Sequence, residues 1–240
     1  MKGAVCGYSQ SALFHRYGGT MGLDIKKMIV DNFLELCERK DLSKITVKDI
    51  QEKTGLSRQT FYNHFKDKDD LIQYSYDTVI MPQWEGDSKR MRAEAAAADI
   101  QLDVYIWGKW IYQWLLAIRK HRRFMKAACS LVGPNSLWIH MVEEMRREEL
   151  EWHRRVCKKP LTREMEEASN YHTAAEVYTV LEWVLNDMSI SIEAVADKVI
   201  RNRVLSIDEV LKWDGEEGPY AKIRKVIETR GLDLFDQICR

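Results

Sequence analysis

The sequence ITVKDIQEKTGLSRQTFYNHFKDKDDLI, residues 45–72, contains three short helical patterns separated by very short breaks. Thr46, Ser57 and Asp67 are placed to cap the three helices, because short polar side chains accept hydrogen bonds from the free N–H groups of a first helical turn. Gly55 supplies the residue that a left-handed turn between the first two helices favours. The pattern therefore predicts a helix-turn-helix followed by a further helix.

The second helix of this motif has one apolar and one polar face. Phe61 and Phe65, four residues apart, are expected to point inward. The other face consists of Arg58, Gln59, Thr60, Tyr62, Asn63 and His64. Such side chains can recognise DNA bases, because arginine matches guanine, glutamine or asparagine matches adenine, and threonine or tyrosine can contact a thymine methyl group. The alternative is a merely solvated helix face, which would leave Tyr62 as an exposed aromatic ring without a function.

Residues 24–80 resemble the DNA-binding domain of the TetR/AcrR family of bacterial transcriptional regulators, and the run TFYNHFKDKDDL within residues 45–72 makes the resemblance specific. It implies that Thr46 and Lys68 contact phosphates at helix starts, and that recognition-helix side chains enter the major groove or line its sugar-phosphate walls. The implied DNA-binding residues are Thr46, Ser57, Arg58, Gln59, Thr60, Tyr62, Asn63, His64 and Lys68. Arg58 and Gln59 are expected to determine specificity.

The resemblance also implies a homodimer that binds a near-palindromic operator in double-stranded DNA, usually as a repressor. In this family the last two helices of the core form the dimer interface, which corresponds here to residues 161–203. The candidates for that interface include Tyr178, Leu181, Val195 and Val199. Packing inside the chain explains the same side chains equally well.

The rest of the chain also predicts helices, and the expected fold class is all-α. Glycine (12) and proline (4) are too scarce for a fold with many turns. Helices are expected at about 23–40, 88–118, 121–131, 135–157, 161–186 and 191–203, besides those of the motif. We expect a flexible N-terminal arm (1–22), a TetR-type helix-turn-helix DNA-binding domain of three helices (23–81), a helical regulatory and dimerisation domain (88–203) and a C-terminal extension (204–240).

A ligand pocket in the C-terminal domain is a second implication of the resemblance, because most family members change DNA affinity when an effector binds there. Candidate pocket residues are Trp107, Trp110, Trp114, Phe124, Met141, Met145 and Tyr171. An ordinary packed core explains these residues as well. The segment LEWVLNDMSIS, residues 181–191, resembles the dihydroxyacetone-kinase-regulator-like branch, some of whose members respond to a protein partner instead. A partner-responsive co-regulator without a small-molecule pocket is therefore the alternative function.

Motifs for catalysis or metal binding are missing from the sequence. It contains no HExxH, GxSxG, P-loop or GxGxxG motif, so we expect no enzyme activity and no cofactor. His140, His153 and His172 are scattered without a local pair, and we expect no metal site. The five cysteines form no CxxC pair, and no apolar run is long enough for a membrane span, so a cytoplasmic protein with reduced thiols is expected.

Charge is balanced over the whole chain but not within it. The 37 Lys and Arg offset 37 Asp and Glu, whereas residues 44–68 carry six basic and three acidic side chains. This small local excess predicts weak and salt-sensitive non-specific DNA binding, so useful affinity must come from the paired contacts of a dimer. The basic run RKHRRFMK, residues 119–126, is interpreted as a solvated face or a turn between helices rather than as an anion site.

Overall fold

The computed structural model describes residues 20–81, 96, 102–157 and 162–204, and every regular element in these ranges is helical. Side chains are described for residues 25–81, 106–151 and 162–203, and for residue 96. The all-α prediction is thus confirmed. Most of the predicted N-terminal arm, residues 82–101 apart from residue 96, and nearly all of the C-terminal extension lie outside the described residues.

The helices follow the predicted pattern closely. In chain order they are α1 (Thr20–Cys37), α2 (Val47–Thr54), α3 (Arg58–His64), α4 (Lys68–Ser75), α5 (Leu102–Lys120), α6 (Arg122–Cys129), α7 (Leu137–Cys157), α8 (Arg163–Leu185) and α9 (Ile192–Val204). A short 3₁₀ turn, Leu42–Lys44, joins α1 to α2. The sequence did not predict the π-helical turn, Tyr76–Ile80, with which α4 continues. Helix α1 begins at Thr20, three residues before the predicted start of its domain.

Capping interactions explain why α2, α3 and α4 begin where they do. Thr46 and Asp49 form a reciprocal capping box at the start of α2, while Ser57 accepts a hydrogen bond from the Thr60 N–H at the start of α3. Asp67 does the same for the Asp70 N–H at the start of α4. The predicted caps are therefore confirmed.

The chain divides into two compact units, one comprising residues 1–85 and 117–188 and the other residues 86–116 and 189–240. These units do not follow the predicted domain boundaries, which remain a prediction. In the first unit, α4 packs against α7, and α6 packs against α1 and the 3₁₀ turn. Phe33 of α1 meets Phe124 of α6 edge to face, with ring centroids 6.0 Å apart. These contacts join the helix-turn-helix segment to later helices of the same unit.

The described part of the second unit consists of residue 96, residues 102–116 of α5 and residues 189–204, which include α9. The two helices run antiparallel. The Arg203 guanidinium lies 4.6 Å from the centre of the Trp107 ring, and the Tyr112 hydroxyl donates to the Glu193 carboxylate at 3.4 Å. Gly108 lies at the contact between the two helices, and a Cβ there would make an ordinary van der Waals contact, 3.5 Å from the Ile200 side chain.

Three of the five Lys and Arg side chains in the basic run 119–126 form ion pairs within the first unit. Arg122 and Lys126 of α6 both bind Asp187, at 3.1 and 3.0 Å, and Arg123 binds Glu38 beyond the end of α1. Lys126, and then Arg122, lower the pKa of Asp187. Asp187 itself has a φ of 60°, a left-handed conformation that aspartate tolerates better than most residues.

None of the helices in the described part of the chain is long and apolar enough to cross a membrane.

Candidate nucleic-acid interface

Helix α3 is fixed from beneath by two phenylalanines. Phe61 and Phe65 are each 1% exposed, and their rings lie 5.8 Å apart. The ring of Phe65 also meets that of Tyr74 in α4 at 5.3 Å. Because both phenylalanines are buried on the same side, the orientation of the seven-residue helix about its own axis is set by packing.

The opposite side of α3 is exposed and polar, as the sequence predicts. Arg58, Gln59, Tyr62 and Asn63 are exposed, and Thr60 and His64 are half-buried. The Arg58 guanidinium lies 5.5 Å from the centre of the Tyr62 ring, a cation–π distance that holds both side chains at the surface. The amide group of Gln59 donates to the side-chain oxygen of Asn63 at 3.1 Å. This pair keeps one oxygen and several N–H groups available for base edges.

Thr46, the residue implied to contact phosphate at the start of α2, is held by its own capping box. Its hydroxyl and its backbone N–H both donate to Asp49 Oδ2 at 2.7 Å. Lys40 also donates to the Asp49 carboxylate at 2.7 Å, and these interactions hold the pKa of Asp49 far below its usual range, with Lys40 the main cause. Thr46 is exposed, but its hydroxyl must break its hydrogen bond to Asp49 before it can donate to a phosphate.

Lys68 is engaged with the protein backbone. Its ammonium donates to the carbonyl oxygens of Leu42 at 3.1 Å and Ile45 at 3.3 Å, the first residue of the 3₁₀ turn and the residue that follows it. An ammonium has three donors, so one remains for a phosphate. The structure thus adds a positioning role that the sequence did not predict, and the phosphate contact stays a prediction.

His64 lies at the end of α3. Burial lowers its pKa and the positive charge of Lys26 lowers it further, which favours the neutral imidazole. Lys26 in turn lies 4.6 Å from the centre of the Tyr74 ring, and partial burial lowers its pKa while Asp70 opposes that change. A neutral imidazole at the edge of the reading surface acts as a hydrogen-bonding group rather than as a fixed charge.

The predicted pocket residues fall in both compact units. Trp110 and Trp114 are buried with their rings 5.8 Å apart, and Trp107 is half-buried. Phe124, Met141 and Met145 are buried in the other unit. For Tyr171 the prediction needs a correction: its side chain is 72% exposed on the outside of α8, so it lines no interior pocket.

The predicted dimer residues also differ in accessibility. Tyr178 is 66% exposed and Leu181 is half-buried on α8. Val195 and Val199 of α9 are each 1% exposed, which corrects the prediction, because side chains packed inside the chain offer no surface to a second copy.

A pair that no sequence pattern predicts joins α7 to the π-helical turn. His140 Nε2 lies 2.7 Å from Asp77 Oδ1, although the two residues are 63 positions apart. A local motif search cannot find a pair at such a separation.

Comparison with known families agrees with this geometry. Residues 29–74 match the model of "Bacterial regulatory proteins, tetR family", a segment that spans most of α1 and all of α2 and α3, and extends into α4. A search of the curated proteins finds no match.

Proposed function

We propose that this DNA-binding transcriptional regulator, whose residues 29–74 match the tetR-family model, acts as a homodimeric repressor that releases a near-palindromic operator when an effector binds. The site of action is then the cytoplasm, where bacterial DNA lies. The observation that carries the proposal is the outer face of α3, where Arg58, Gln59, Tyr62 and Asn63 are exposed above buried Phe61. A surface of this composition matches the edges of base pairs in a major groove.

The dimer is supported by an apolar stripe on the outside of α8. Tyr171, Tyr178 and Leu185 are spaced seven residues apart, and they are 72%, 66% and 43% exposed. Ala174 and Ala175, between the tyrosines, are exposed as well. Large apolar side chains in a row on an exposed helix face favour association with another protein surface. The same stripe on a second copy of the chain can pack against it about a two-fold axis. Tyr178 of the predicted set is therefore retained, and Tyr171, which the sequence placed in both the dimer region and the pocket, is assigned to the interface alone.

The effector is supported by one buried polar atom. Trp114 is fully buried, yet its indole N–H has no hydrogen-bond acceptor among the described residues. A buried donor without an acceptor costs about 1–3 kcal/mol. A small flat molecule with a hydrogen-bond acceptor would supply the missing partner and stack on the neighbouring Trp110 ring.

The proposal is tested with fluorescently labelled DNA from the region upstream of the protein's own gene, compared with a shuffled duplex at moderate salt. We expect wild type to prefer the upstream DNA. Arg58→Ala should lose about 1–3 kcal/mol of that preference, because it removes a bidentate base contact. Gln59→Ala should change the ranking among operator variants.

Arg146→Ala is the matched control, since Arg146 is an exposed arginine on α7, away from α3. It should bind the upstream DNA as wild type does. If wild type retains both duplexes equally at every salt concentration, the repressor proposal fails.

A further inference from the structure

Three side chains that can bind a metal converge between α4 and α7. Asp77 lies on the π-helical turn that continues α4, and His140 and Glu144 lie one turn apart on α7. His140 Nε2 and Asp77 Oδ1 are 2.7 Å apart, and one donor atom from each of the three residues lies within 4.8 Å of the others. The cluster belongs entirely to the first compact unit.

The surroundings of the cluster are dry. The side chains of Asp77 and His140 are each 14% exposed, and that of Glu144 is 12% exposed. The Tyr76 ring meets the His140 ring edge to face at 6.1 Å and covers it. A cation bound among these side chains would lower the cost of holding two carboxylates out of water. Arg147 contacts both Glu144 and Glu148.

A second observation comes from Ser136, which precedes His140 by four residues. Its side chain is 5% exposed, and its hydroxyl has no hydrogen-bond partner among the described residues. Ser136 immediately precedes α7, and its carbonyl oxygen accepts a hydrogen bond from the His140 N–H at 3.3 Å. The residue that leads into the cluster therefore carries a buried hydroxyl without a hydrogen-bond partner among the described residues.

We propose that Asp77, His140 and Glu144 bind a divalent transition-metal ion such as Zn²⁺. One imidazole nitrogen and two carboxylate oxygens suit zinc and its neighbours in the first transition row better than Mg²⁺ or Ca²⁺, which prefer oxygen ligands only. With bonds near 2.1 Å, ligand atoms of a tetrahedral site lie about 3.4 Å apart. The donor atoms of the cluster are between 2.7 Å and at most 4.8 Å apart, which brackets this value, so side-chain rotations suffice to form the metal site.

Binding exchanges one interaction for another. The hydrogen bond between His140 and Asp77 opens, the metal takes the Nε2 lone pair, and any proton held there is released to solvent. Glu144 uses one oxygen for the metal and keeps the other for Arg147. Water fills the fourth position.

The metal would tie the helix that follows the recognition helix to α7. The π-helical turn places Asp77 opposite His140, and such widened turns are frequent at functional sites. Occupation of the site would stiffen the packing of α4 on α7. The site is measured without DNA, so the outcome does not depend on the repressor proposal.

The test uses the full-length protein without an affinity tag. Titration with Co²⁺ should give one bound ion per chain and a visible absorption band without the near-ultraviolet band of a thiolate ligand. Zn²⁺ at a hundredfold excess over its Kd should raise Tm by at least about 4 °C, and Mg²⁺ should not. His140→Gln and Asp77→Asn should each weaken Co²⁺ binding by at least about tenfold.

His172→Gln is the control, because His172 lies on α8 outside the cluster, and it should bind Co²⁺ as wild type does. Circular dichroism of the metal-free variants checks their folding. If one cluster variant unfolds, the Co²⁺ affinity of the other variant and the absorption spectrum of wild type decide whether the proposal holds. The proposal is overturned by wild type that binds no Co²⁺, by a thiolate band, or by folded cluster variants that bind Co²⁺ as tightly as wild type.

Discussion

The ammonium of Lys68 reaches backbone carbonyls that lie 23 and 26 residues earlier in the chain. These carbonyls belong to Ile45 and Leu42, next to the start of α2. A half-buried ammonium that donates to two carbonyls is a stronger link than a neutral hydrogen bond. Lys68 therefore holds the start of α4 against the segment that leads into the helix-turn-helix.

Replacing Lys68 with methionine separates this positioning role from phosphate binding. We expect Lys68→Met to lower the free energy of unfolding by about 1.5–3 kcal/mol, because the charged donor to two carbonyls is lost. Urea denaturation measures the change. Lys66→Met, at an exposed lysine two residues away, should stay within about 0.5 kcal/mol of wild type. Unchanged stability with weaker binding to all DNA would instead assign Lys68 to phosphate contact alone.

Single-residue predictions succeeded where partners are close in sequence. Caps such as Thr46 and Ser57 bond within three residues, and the Phe61 and Phe65 pair within four. Periodicity and capping chemistry reveal such partners directly. Lys68 with Leu42, and His140 with Asp77, are contacts set by tertiary packing, and no local pattern encodes them.

At the scale of elements, the turn between α2 and α3 depends on Gly55. Its φ is +73°, and its N–H donates to the Gln51 carbonyl at 2.8 Å, which closes α2. A Cβ at this position would meet no atom within 4 Å. The need for glycine is therefore a matter of backbone conformation, since neighbouring atoms leave room.

Gly55→Ala should lower the free energy of unfolding by about 1–2 kcal/mol, the usual cost of a left-handed conformation for an L-residue. Gly108→Ala is an informative comparison, because Gly108 lies inside α5 with an ordinary contact to Ile200. There alanine favours the helix by about 0.5–1 kcal/mol. Thermal denaturation should show opposite changes in Tm, and a fall of similar size in both variants would contradict this account.

The faces of α8 show what helical periodicity alone leaves open. Thr173, Val177, Val180 and Val184 are buried, whereas Tyr171 and Tyr178 are exposed. Both faces carry apolar side chains, so the sequence did not distinguish the packed face from the accessible one. Packing of α8 on α7 and α6 makes that distinction.

For the whole molecule, the exposed stripe of α8 is expected to control the state of association. Tyr178→Glu places a charge at the centre of the stripe, and burying it against a second copy would be costly. We expect sedimentation equilibrium to show a dimer for wild type and a monomer for the variant at the same micromolar concentration.

Val132→Glu is the matched control, because Val132 is 97% exposed and lies in the loop before α7. It introduces the same charge at another exposed apolar residue and should leave the dimer intact. A variant Tyr178→Glu that remains dimeric would exclude the α8 stripe as the interface.

The ion pairs of the basic run bear on how the protein searches for its target. Arg122 and Lys126 share Asp187, and Arg123 pairs with Glu38, so two acidic side chains offset three of the basic ones in this run. A protein that displaces few counterions from the duplex spends little time sliding along unrelated DNA. We therefore expect this protein to search mostly by three-dimensional diffusion, so that the time needed to find one operator depends on the number of molecules in the cell.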